Sequence, residues 1–201
     1  MQIIYTRNEP VYLDEYNFPA DILDENRLQH ALEESRIARI RESIIDIQQK
    51  DSLIQYMAPW SDASIIKHES IDMIYSQAVL EHVEDLSNTY KAMASWLKPN
   101  GYMSHQIDFK CHGLATEWNG HWVYSDLMWN LIKGKRPYLL NREPHSKHIA
   151  LLKEVGFKIQ CDKVVKLRSN LMKSALAMRF KSMDDEDLVI SGACIQAVKV
   201  T

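Results

Sequence analysis

The stretch that decides the fold is residues 70–102, which read SIDMIYSQAVLEHVEDLSNTYKAMASWLKPNGY. The apolar run at residues 71–75 predicts a strand that is buried on both faces. Residues 86–97 have apolar side chains at helical spacing, and the turn at residues 98–101 ends that helix. A second strand is expected over residues 102–109. The stretch therefore predicts one strand–helix–strand repeat of an α/β sheet.

Further elements of the same kind are predicted on both sides of this repeat. Before it, the pattern indicates strands at residues 2–5, 11–14 and 52–57 and one long helix at residues 25–49. After it, helices are expected at residues 125–133 and 146–155, and strands at residues 157–167 and 193–200. The alternation predicts a mostly parallel sheet that is covered on both sides. The last two strands have no full helix between them, so the sheet is expected to end in an antiparallel strand.

Length and composition limit the class of protein. The 201 residues fit one domain, and 46% hydrophobic with 25% charged residues is typical of a soluble globular protein. A net charge of −3 gives no electrostatic reason to expect a nucleic acid or an anionic membrane as partner. No apolar run is long enough to span a membrane, and the first residues lack a signal-peptide pattern. The odd, widely spaced cysteines at 111, 161 and 194 argue against a disulfide framework or a zinc site. A cytoplasmic location is predicted.

Several motifs resemble the class I S-adenosylmethionine-dependent methyltransferases. They are the pair Asp62-Ala63, the strand at residues 70–76, the VLEHV motif at residues 79–83 and the LKPNG turn at residues 97–101. In the family this turn has two glycines, and here Asn100 replaces the first of them. Asparagine tolerates left-handed backbone angles, so the turn is expected to form. The resemblance implies a Rossmann-like methyltransferase sheet over residues 1–201 and S-adenosylmethionine as the cofactor.

The family also has an opening strand followed by a glycine-rich loop that holds the carboxylate of the cofactor. Glycine permits close backbone approach, and the N–H groups at a helix start stabilise an anion. The six glycines of this chain are at 101, 113, 120, 134, 156 and 192, all in its second half. We therefore expect a family member that is truncated at its N-terminus and begins after the first strand and loop.

The resemblance also implies where the cofactor is bound. In the family, an acid at the end of the second strand contacts the ribose hydroxyls of the cofactor. In this chain either Asp14 or Glu15 suits that place, and each is also explained as a solvated acid at a strand end. Asp62 suits the adenine amino group because a carboxylate only accepts hydrogen bonds, and its alternative role is a turn or helix cap. Strand ends of open α/β sheets bind ligands. The predicted cofactor-binding residues are Glu15, Asp62, Ala63, Ser76 and Gln77.

Three polar residues are candidates for the acceptor side of the site. His105 and Asp108 lie on or just after a strand that ends at the same crevice, and His121 lies in the loop beyond it. A hydroxyl or amine acceptor benefits from a base, and these residues can supply one. Single histidines are also common as structural residues. Glu81 and His82 point apart on a helix, so His82 is interpreted as a packing residue.

Two functions remain open at this point. The first is S-adenosylmethionine-dependent methyl transfer to an unidentified small molecule. The second is a catalytically inactive, truncated methyltransferase-like domain that serves as a binding or oligomerisation module. A missing central strand leaves backbone groups unpaired, so a homo-oligomer that completes the sheet is a further expectation. No metal, nucleic acid or membrane partner is predicted.

The aromatic residues Trp118, Trp122, Tyr124 and Trp129 are interpreted as packing residues of a lid.

Overall fold

The computed structural model describes residues 23–47, 52–58 and 62–200. The chain forms two compact units, Met1–Pro59 and Trp60–Thr201, and each is described by itself. The strands predicted at residues 2–5 and 11–14, and the predicted ribose contact Glu15, lie outside the described residues. Those predictions therefore remain predictions.

The first unit has two helices where the sequence predicted one over residues 25–49. Helix α1 is Glu25–Ala31 and helix α2 is Glu34–Ile45. The break has a local cause, because side chains satisfy the groups at the end of α1. The Arg36 guanidinium donates to the backbone oxygen of Ala31 at 2.9 Å. The ring of His30 bonds the carboxylate of Glu33, which stands between the two helices, at 2.7 Å.

The strand predicted at residues 52–57 does not form, so that prediction is wrong. The hydroxyl of Ser52 donates to the backbone oxygen of Ile54 at 2.6 Å and accepts from its N–H group at 3.2 Å. Serine side chains of this kind compete with a strand ladder for backbone groups. The apolar residues that suggested a strand, Leu53 and Tyr56, are exposed.

The second unit is built on a four-stranded sheet. Its strands are β1 Ile71–Gln77, β2 Leu97–Asp108, β3 Phe157–Lys166 and β4 Ile190–Lys199, in the order β1-β2-β4-β3. Strands β1 and β2 are parallel, and β4 is antiparallel to both β2 and β3. Three strands therefore share one direction and the last runs against them. The prediction of a mostly parallel α/β sheet with an antiparallel C-terminal strand is confirmed.

Three helices follow the sequence prediction closely. They are α3 Leu86–Trp96, α4 Asp126–Lys133 and α5 His145–Glu154. Two of these helices begin with a side-chain cap, since Asp85 begins α3 and Ser125 begins α4 by accepting a backbone N–H three residues later. None of the helices in the described part of the chain has the length and apolar composition needed to cross a bilayer.

The turn between α3 and the ladder of β2 keeps its shape with asparagine in it. Asn100 has φ 61°, the left-handed conformation that the sequence predicted for this position. The next residue must be small. A Cβ added at Gly101 would lie 2.9 Å from the backbone oxygen of Lys98 and 3.3 Å from that of Asp72.

The core of the second unit lies on one face of the sheet. Helices α3 and α5 contact each other and pack there against buried residues of β2 and β4 such as Met103, Ile107 and Ile195. The opposite face is open among the described residues: its side chains Met73, Tyr75 and Tyr102 are 57%, 62% and 56% exposed. The prediction that β1 is buried on both faces is therefore wrong. Strand β1 is an edge of the described sheet, and both packed helices lie on the same side of it.

A second, smaller apolar cluster lies under the loops that follow β2. Its centre is Trp122, which is 1% exposed and packs with residues of the segment before β4. The indole N–H of Trp122 donates to the backbone oxygen of Arg142 at 2.9 Å. Trp129 is also buried and stacks against Tyr124. These contacts agree with the packing interpretation of the aromatic residues.

Candidate functional site

The carboxyl ends of the three parallel strands open onto one cavity of about 330 Å³. Gln77 and Ala78 contribute to it from the end of β1, and Asp108 and Lys110 from the end of β2. Residues 163–165 of β3 and residues 191–194 of β4 form the far side. Because open α/β sheets bind ligands outside the carboxyl ends of their strands, this edge is the candidate functional site.

A second, much smaller pocket lies beside the first. Its volume is about 10 Å³, which is room for about one water molecule, and Asp108 and Lys110 line both cavities. Glu81, His121 and Arg142 complete the polar part of its wall. The two cavities therefore meet at the end of β2.

Asp108 is the acidic residue at this junction. Its carboxylate lies 3.4 Å from the Nζ atom of Lys110 and 3.4 Å from the Nε2 atom of His112. The backbone N–H of Lys110 also donates to it at 2.9 Å, which ties the loop to the end of β2. The structure thus brings Asp108 to the site where the sequence predicted it.

His121 lies on the short 3-10 helix Gly120–Val123 and is 2% exposed. Its ring packs against Trp122 with 4.7 Å between the ring centroids. Burial lowers the pKa of His121 to about 3, and the charge of Arg142 contributes in the same direction. The ring is therefore neutral near pH 7, and its Nδ1 atom has no hydrogen-bond partner among the described residues.

His105 lies on the core side of β2 and lines neither cavity. It is fully buried, and its Nδ1 atom is 2.7 Å from the hydroxyl of Ser76. Burial lowers the pKa of His105 to about 4, so the ring is neutral near pH 7. The buried Nε2 atom of His105 has no partner among the described residues. A buried N–H without a partner is rarer than a buried nitrogen acceptor without one, so we assign the proton to Nδ1, which then donates to Ser76. The contact holds Ser76 at the end of β1.

The sequence reasoning missed Glu81 as a site residue. It lies on the short 3-10 helix Leu80–His82 and is 3% exposed. Neither oxygen of its carboxylate has a hydrogen-bond partner among the described residues. Burial raises the pKa of Glu81, and the negative charge of Asp108 raises it further. The backbone N–H groups of Glu81 and Asp108 act in the opposite direction, although neither makes a hydrogen bond to the carboxylate. The sequence feature that could have identified Glu81 is an acid among the apolar residues of the VLEHV motif.

Arg142 was not among the site residues predicted from the sequence. It is 3% exposed and donates to the backbone oxygen of Tyr124 at 2.7 Å and to the carboxylate of Asp126 at 2.6 Å. Its guanidinium lies 4.7 Å from the ring centre of Trp129. Burial lowers the pKa of Arg142, and its Nε atom has no partner among the described residues. These contacts hold the side chain in place, and its Nε–H group remains without a partner among the described residues.

Backbone strain is found beside these cavities. Ala78, His112 and Arg142 have φ of 52°, 50° and 67°, in the left-handed region that residues with a side chain rarely adopt. Ala78 lines the larger cavity, Arg142 lines the smaller one, and His112 contacts Asp108. Strain of this kind is retained where the surrounding structure enforces it, commonly at binding and active sites.

The predicted adenine contact, Asp62, serves as a helix cap. Its carboxylate accepts from the N–H and the hydroxyl of Ser64, both at 2.8 Å, and begins the 3-10 helix Ala63–Ile65. These hydrogen bonds lower the pKa of Asp62, so it remains an acceptor. A carboxylate has about four lone-pair sites, so the cap leaves acceptor capacity for a ligand. Gln77 uses its oxygen to accept from the hydroxyl of Tyr75 at 2.8 Å, and its amide nitrogen can donate.

The family model described as "Methyltransferase domain" matches residues 10–161, well over half of the chain. The chain belongs to this family. The resemblance to the class I S-adenosylmethionine-dependent methyltransferases is therefore confirmed, and S-adenosylmethionine is the methyl donor of the family.

Solved structures of methyltransferases are similar to the chain at low sequence identity. An S-adenosylmethionine-dependent methyltransferase from Methanosarcina mazei is 17% identical, with 80% of this chain and 77% of that chain covered and a TM-score of 0.45. One from Mesorhizobium loti is 16% identical, with 84% and 77% covered and a TM-score of 0.45. Geranyl diphosphate C-methyltransferase from Streptomyces coelicolor A3(2) is 12% identical, with 82% and 60% covered and a TM-score of 0.50. The last similarity supports the Rossmann-like fold. No curated protein matches the chain.

Asp62 and the amide nitrogen of Gln77 keep hydrogen-bonding groups of the kind that an adenosine group pairs with. The hydroxyl of Ser76 is engaged by His105, and Ser76 lines neither cavity. Every glycine among the described residues follows β1, so these residues contain no glycine-rich turn for the carboxylate of the cofactor. The described residues also contain no group of three or more histidine, cysteine or acidic side chains arranged to hold a metal ion.

Proposed function

We propose that the chain transfers a methyl group from S-adenosylmethionine to a small molecule at the carboxyl ends of β1 and β2. The observation that carries the proposal is the pair of cavities that share Asp108 at this edge of a methyltransferase-type sheet. When bound, S-adenosylmethionine supplies a methyl group that is electrophilic because its sulfur is positively charged. Within this proposal residues 1–201 act as a single methyltransferase-like domain.

The cofactor side of the site follows from the strand ends and the Asp62 turn. Asp62 accepts a hydrogen bond from the adenine amino group, and the backbone of Ala63 lies beside the same ring. Ser76, held by His105, and the amide of Gln77 contact the cofactor at the end of β1. Glu15 is assigned to the ribose hydroxyls from the family resemblance.

The acceptor side is assigned to the residues that line the two cavities. Asp108 and His121 contact the acceptor, and the neutral ring of His121 offers a hydrogen bond without a charge. His105 acts as a positioning residue for Ser76 in this proposal, because its buried ring faces the core.

Calorimetric titration of S-adenosylmethionine into the purified chain tests the proposal. We expect saturable binding, and we expect Asp62→Asn to weaken it about tenfold because a charged acceptor is lost. Asp72→Asn is the matched control. That carboxylate is also exposed but binds Lys98 at the opposite end of β1, so affinity should not change. Absence of heat at millimolar cofactor would remove the enzymatic proposal.

A second candidate function is a non-catalytic binding or oligomerisation module. The open sheet face with Met73, Tyr75 and Tyr102 favours it, because contiguous exposed apolar side chains often mark an interaction surface. A homo-oligomer formed through this face is the simplest case. The module gains support if the cofactor fails to bind and light scattering gives a mass that rises with protein concentration.

A further inference from the structure

The wall of the smaller pocket carries buried polar atoms that the rest of the protein does not satisfy. These are both carboxylate oxygens of Glu81, the Nδ1 atom of His121 and the Nε atom of Arg142, none of which has a hydrogen-bond partner among the described residues. The three side chains are 3%, 2% and 3% exposed and line the pocket together. Buried polar groups are nearly always paired with protein or with ordered water, so these atoms need a partner.

Direct hydrogen bonds hold the walls of this pocket in place. The backbone N–H of Asn141 donates to the backbone oxygen of Glu81 at 2.8 Å, and its side-chain amide donates to the backbone oxygen of Leu80 at 2.7 Å. The indole N–H of Trp122 donates to the backbone oxygen of Arg142 at 2.9 Å. The segments that carry the unpaired atoms are therefore fixed to one another, and these hydrogen bonds oppose the collapse of the pocket.

The volume and the chemistry of the pocket both limit what it can hold. About 10 Å³ is room for one water-sized group and excludes an organic ligand. The guanidinium of Arg142 disfavours a cation there, and the carboxylate of Glu81 disfavours an anion. A small neutral molecule that both donates and accepts hydrogen bonds fits the wall. Glu81 and the neutral ring of His121 can accept a hydrogen bond, and the Nε–H of Arg142 can donate one.

We propose that this pocket holds one ordered water molecule that bridges Glu81, His121 and Arg142. The Nε–H of Arg142 donates to the water oxygen, and the two O–H groups of the water donate to a carboxylate oxygen of Glu81 and to the Nδ1 atom of His121. The proton of the neutral His121 ring then lies on Nε2. Three partners are the usual number for a buried water. The proposal goes beyond the proposed function, because it concerns the folded chain without cofactor or acceptor.

The water gives Glu81 a place in the framework of the site. A buried carboxylate without any hydrogen bond is unfavourable, and a bridging water reduces that cost. The same water joins the 3-10 helix Leu80–His82, which follows β1, to the 3-10 helix Gly120–Val123 in the loop beyond β2. Because Asp108 lines both cavities, the water lies in the part of the molecule that separates them.

A crystal structure of the full chain, at a resolution that shows ordered water and without added ligand, tests the proposal directly. We expect one water peak within about 3 Å of a carboxylate oxygen of Glu81, of Nδ1 of His121 and of Nε of Arg142. The proposal is overturned if this peak is missing, or if the three groups pair directly with each other or with other side chains.

Oxygen-17 magnetic relaxation dispersion makes the second test in solution, because it counts the water molecules that a protein holds for long times. Glu81→Met replaces the acid by an apolar side chain of similar length, and we expect one long-lived water fewer than in the unmodified chain. Glu81→Gln keeps an acceptor oxygen and should keep the water. Glu84→Met is the matched control, since Glu84 is an exposed acid three residues away that binds Lys133.

The comparison separates the water from a general effect of substitution. Equal numbers of long-lived waters in Glu81→Met and the unmodified chain overturn the proposal. An equal loss in Glu84→Met also overturns it, because that acid does not line the pocket. If Glu81→Met does not fold, the crystal structure of the unmodified chain decides the question by itself.

Discussion

At the residue scale, the site is defined by polar side chains that were removed from water at a cost. Glu81, His121 and Arg142 are each almost completely buried, and each keeps at least one polar atom without a partner among the described residues. Trp122 packs against His121, and Trp129 packs against the guanidinium of Arg142. Burial makes the His121 ring neutral and raises the pKa of Glu81, so packing sets the protonation states of the site.

Arg142 offers a test of how far the geometry of the site depends on one guanidinium. We expect Arg142→Lys to lower the free energy of unfolding by about 2 kcal/mol, because an ammonium cannot reach Tyr124, Asp126 and the face of Trp129 together. Arg179→Lys is the control, since Arg179 contacts the same Asp126 but is exposed. Its effect should stay within about 0.5 kcal/mol. Urea unfolding of both variants measures the difference, and equal effects would contradict the prediction.

At the element scale, helix starts and turns place the site residues. Ser125 caps α4, Asp85 caps α3 and Asn100 forms the turn before the ladder of β2, and each is a residue type typical of its position. Helix α5 is different. Asp187, in the acidic turn before β4, is 2% exposed and reaches the start of α5. A cap from 41 positions along the chain leaves no local sequence signal.

Asp187 tests this long-range cap. Its carboxylate accepts from the N–H of Ser146 at 3.0 Å and from the hydroxyl of Ser146 at 2.5 Å. We expect Asp187→Ala to lower the free energy of unfolding by about 1–2 kcal/mol, because the start of α5 loses its cap. Asp185→Ala changes an exposed acid of the same turn and should have a smaller effect. Thermal unfolding monitored by circular dichroism makes the comparison, and equal shifts would refute the cap.

At the scale of the whole molecule, the second unit has a core that contains three neutral histidines. Burial lowers the pKa of His105 to about 4 and the pKa values of His121 and His148 to about 3. His148 lies on α5 and its Nδ1 atom is 2.8 Å from the hydroxyl of Tyr90 on α3. The histidines belong to β2, the loop beyond it and α5, so protonation affects the packing of the entire unit.

The pH dependence of stability follows from these lowered pKa values. An unfolded histidine takes up a proton near its ordinary pKa of about 6.5, whereas the folded rings do so only near 3 to 4. The contribution of these neutral rings to the free energy of unfolding is therefore fully present above pH 6.5. It is lost as the pH falls toward 4, by about 1.4 kcal/mol per pH unit for each ring. Urea unfolding between pH 7 and about 4.5 measures the slope.

Two variants show whether the buried rings cause this acid sensitivity. His148→Gln should reduce the slope by about one third, because one of three rings no longer titrates. His68→Gln replaces an exposed ring and should leave the slope unchanged. A slope that is the same in both variants would show that other groups are responsible.

Much of the fold and only part of the site could be predicted from sequence. The elements β1, α3 and β2 follow from local periodicity, although β2 begins at Leu97, five residues before the predicted start. Asp108 and His121 line the cavities at the strand ends, whereas His105, expected at the same crevice, lines neither. The helix break near Leu32 and the absence of a strand at residues 52–57 depend on side-chain hydrogen bonds that periodicity does not report. The open sheet face was also missed, because an apolar run does not reveal whether a second layer covers it.

The amino-acid sequence was enough to identify the methyltransferase family, the α/β alternation and the edge of the sheet that carries the candidate site. Those properties depend on residues close together in the chain, on caps, turns and repeating apolar positions. Only the tertiary structure brought Glu81, His121 and Arg142 to one pocket and left their polar atoms unpaired. Burial and pairing arise from contacts between residues 20 to 60 positions apart, and such contacts exist only after the chain has folded.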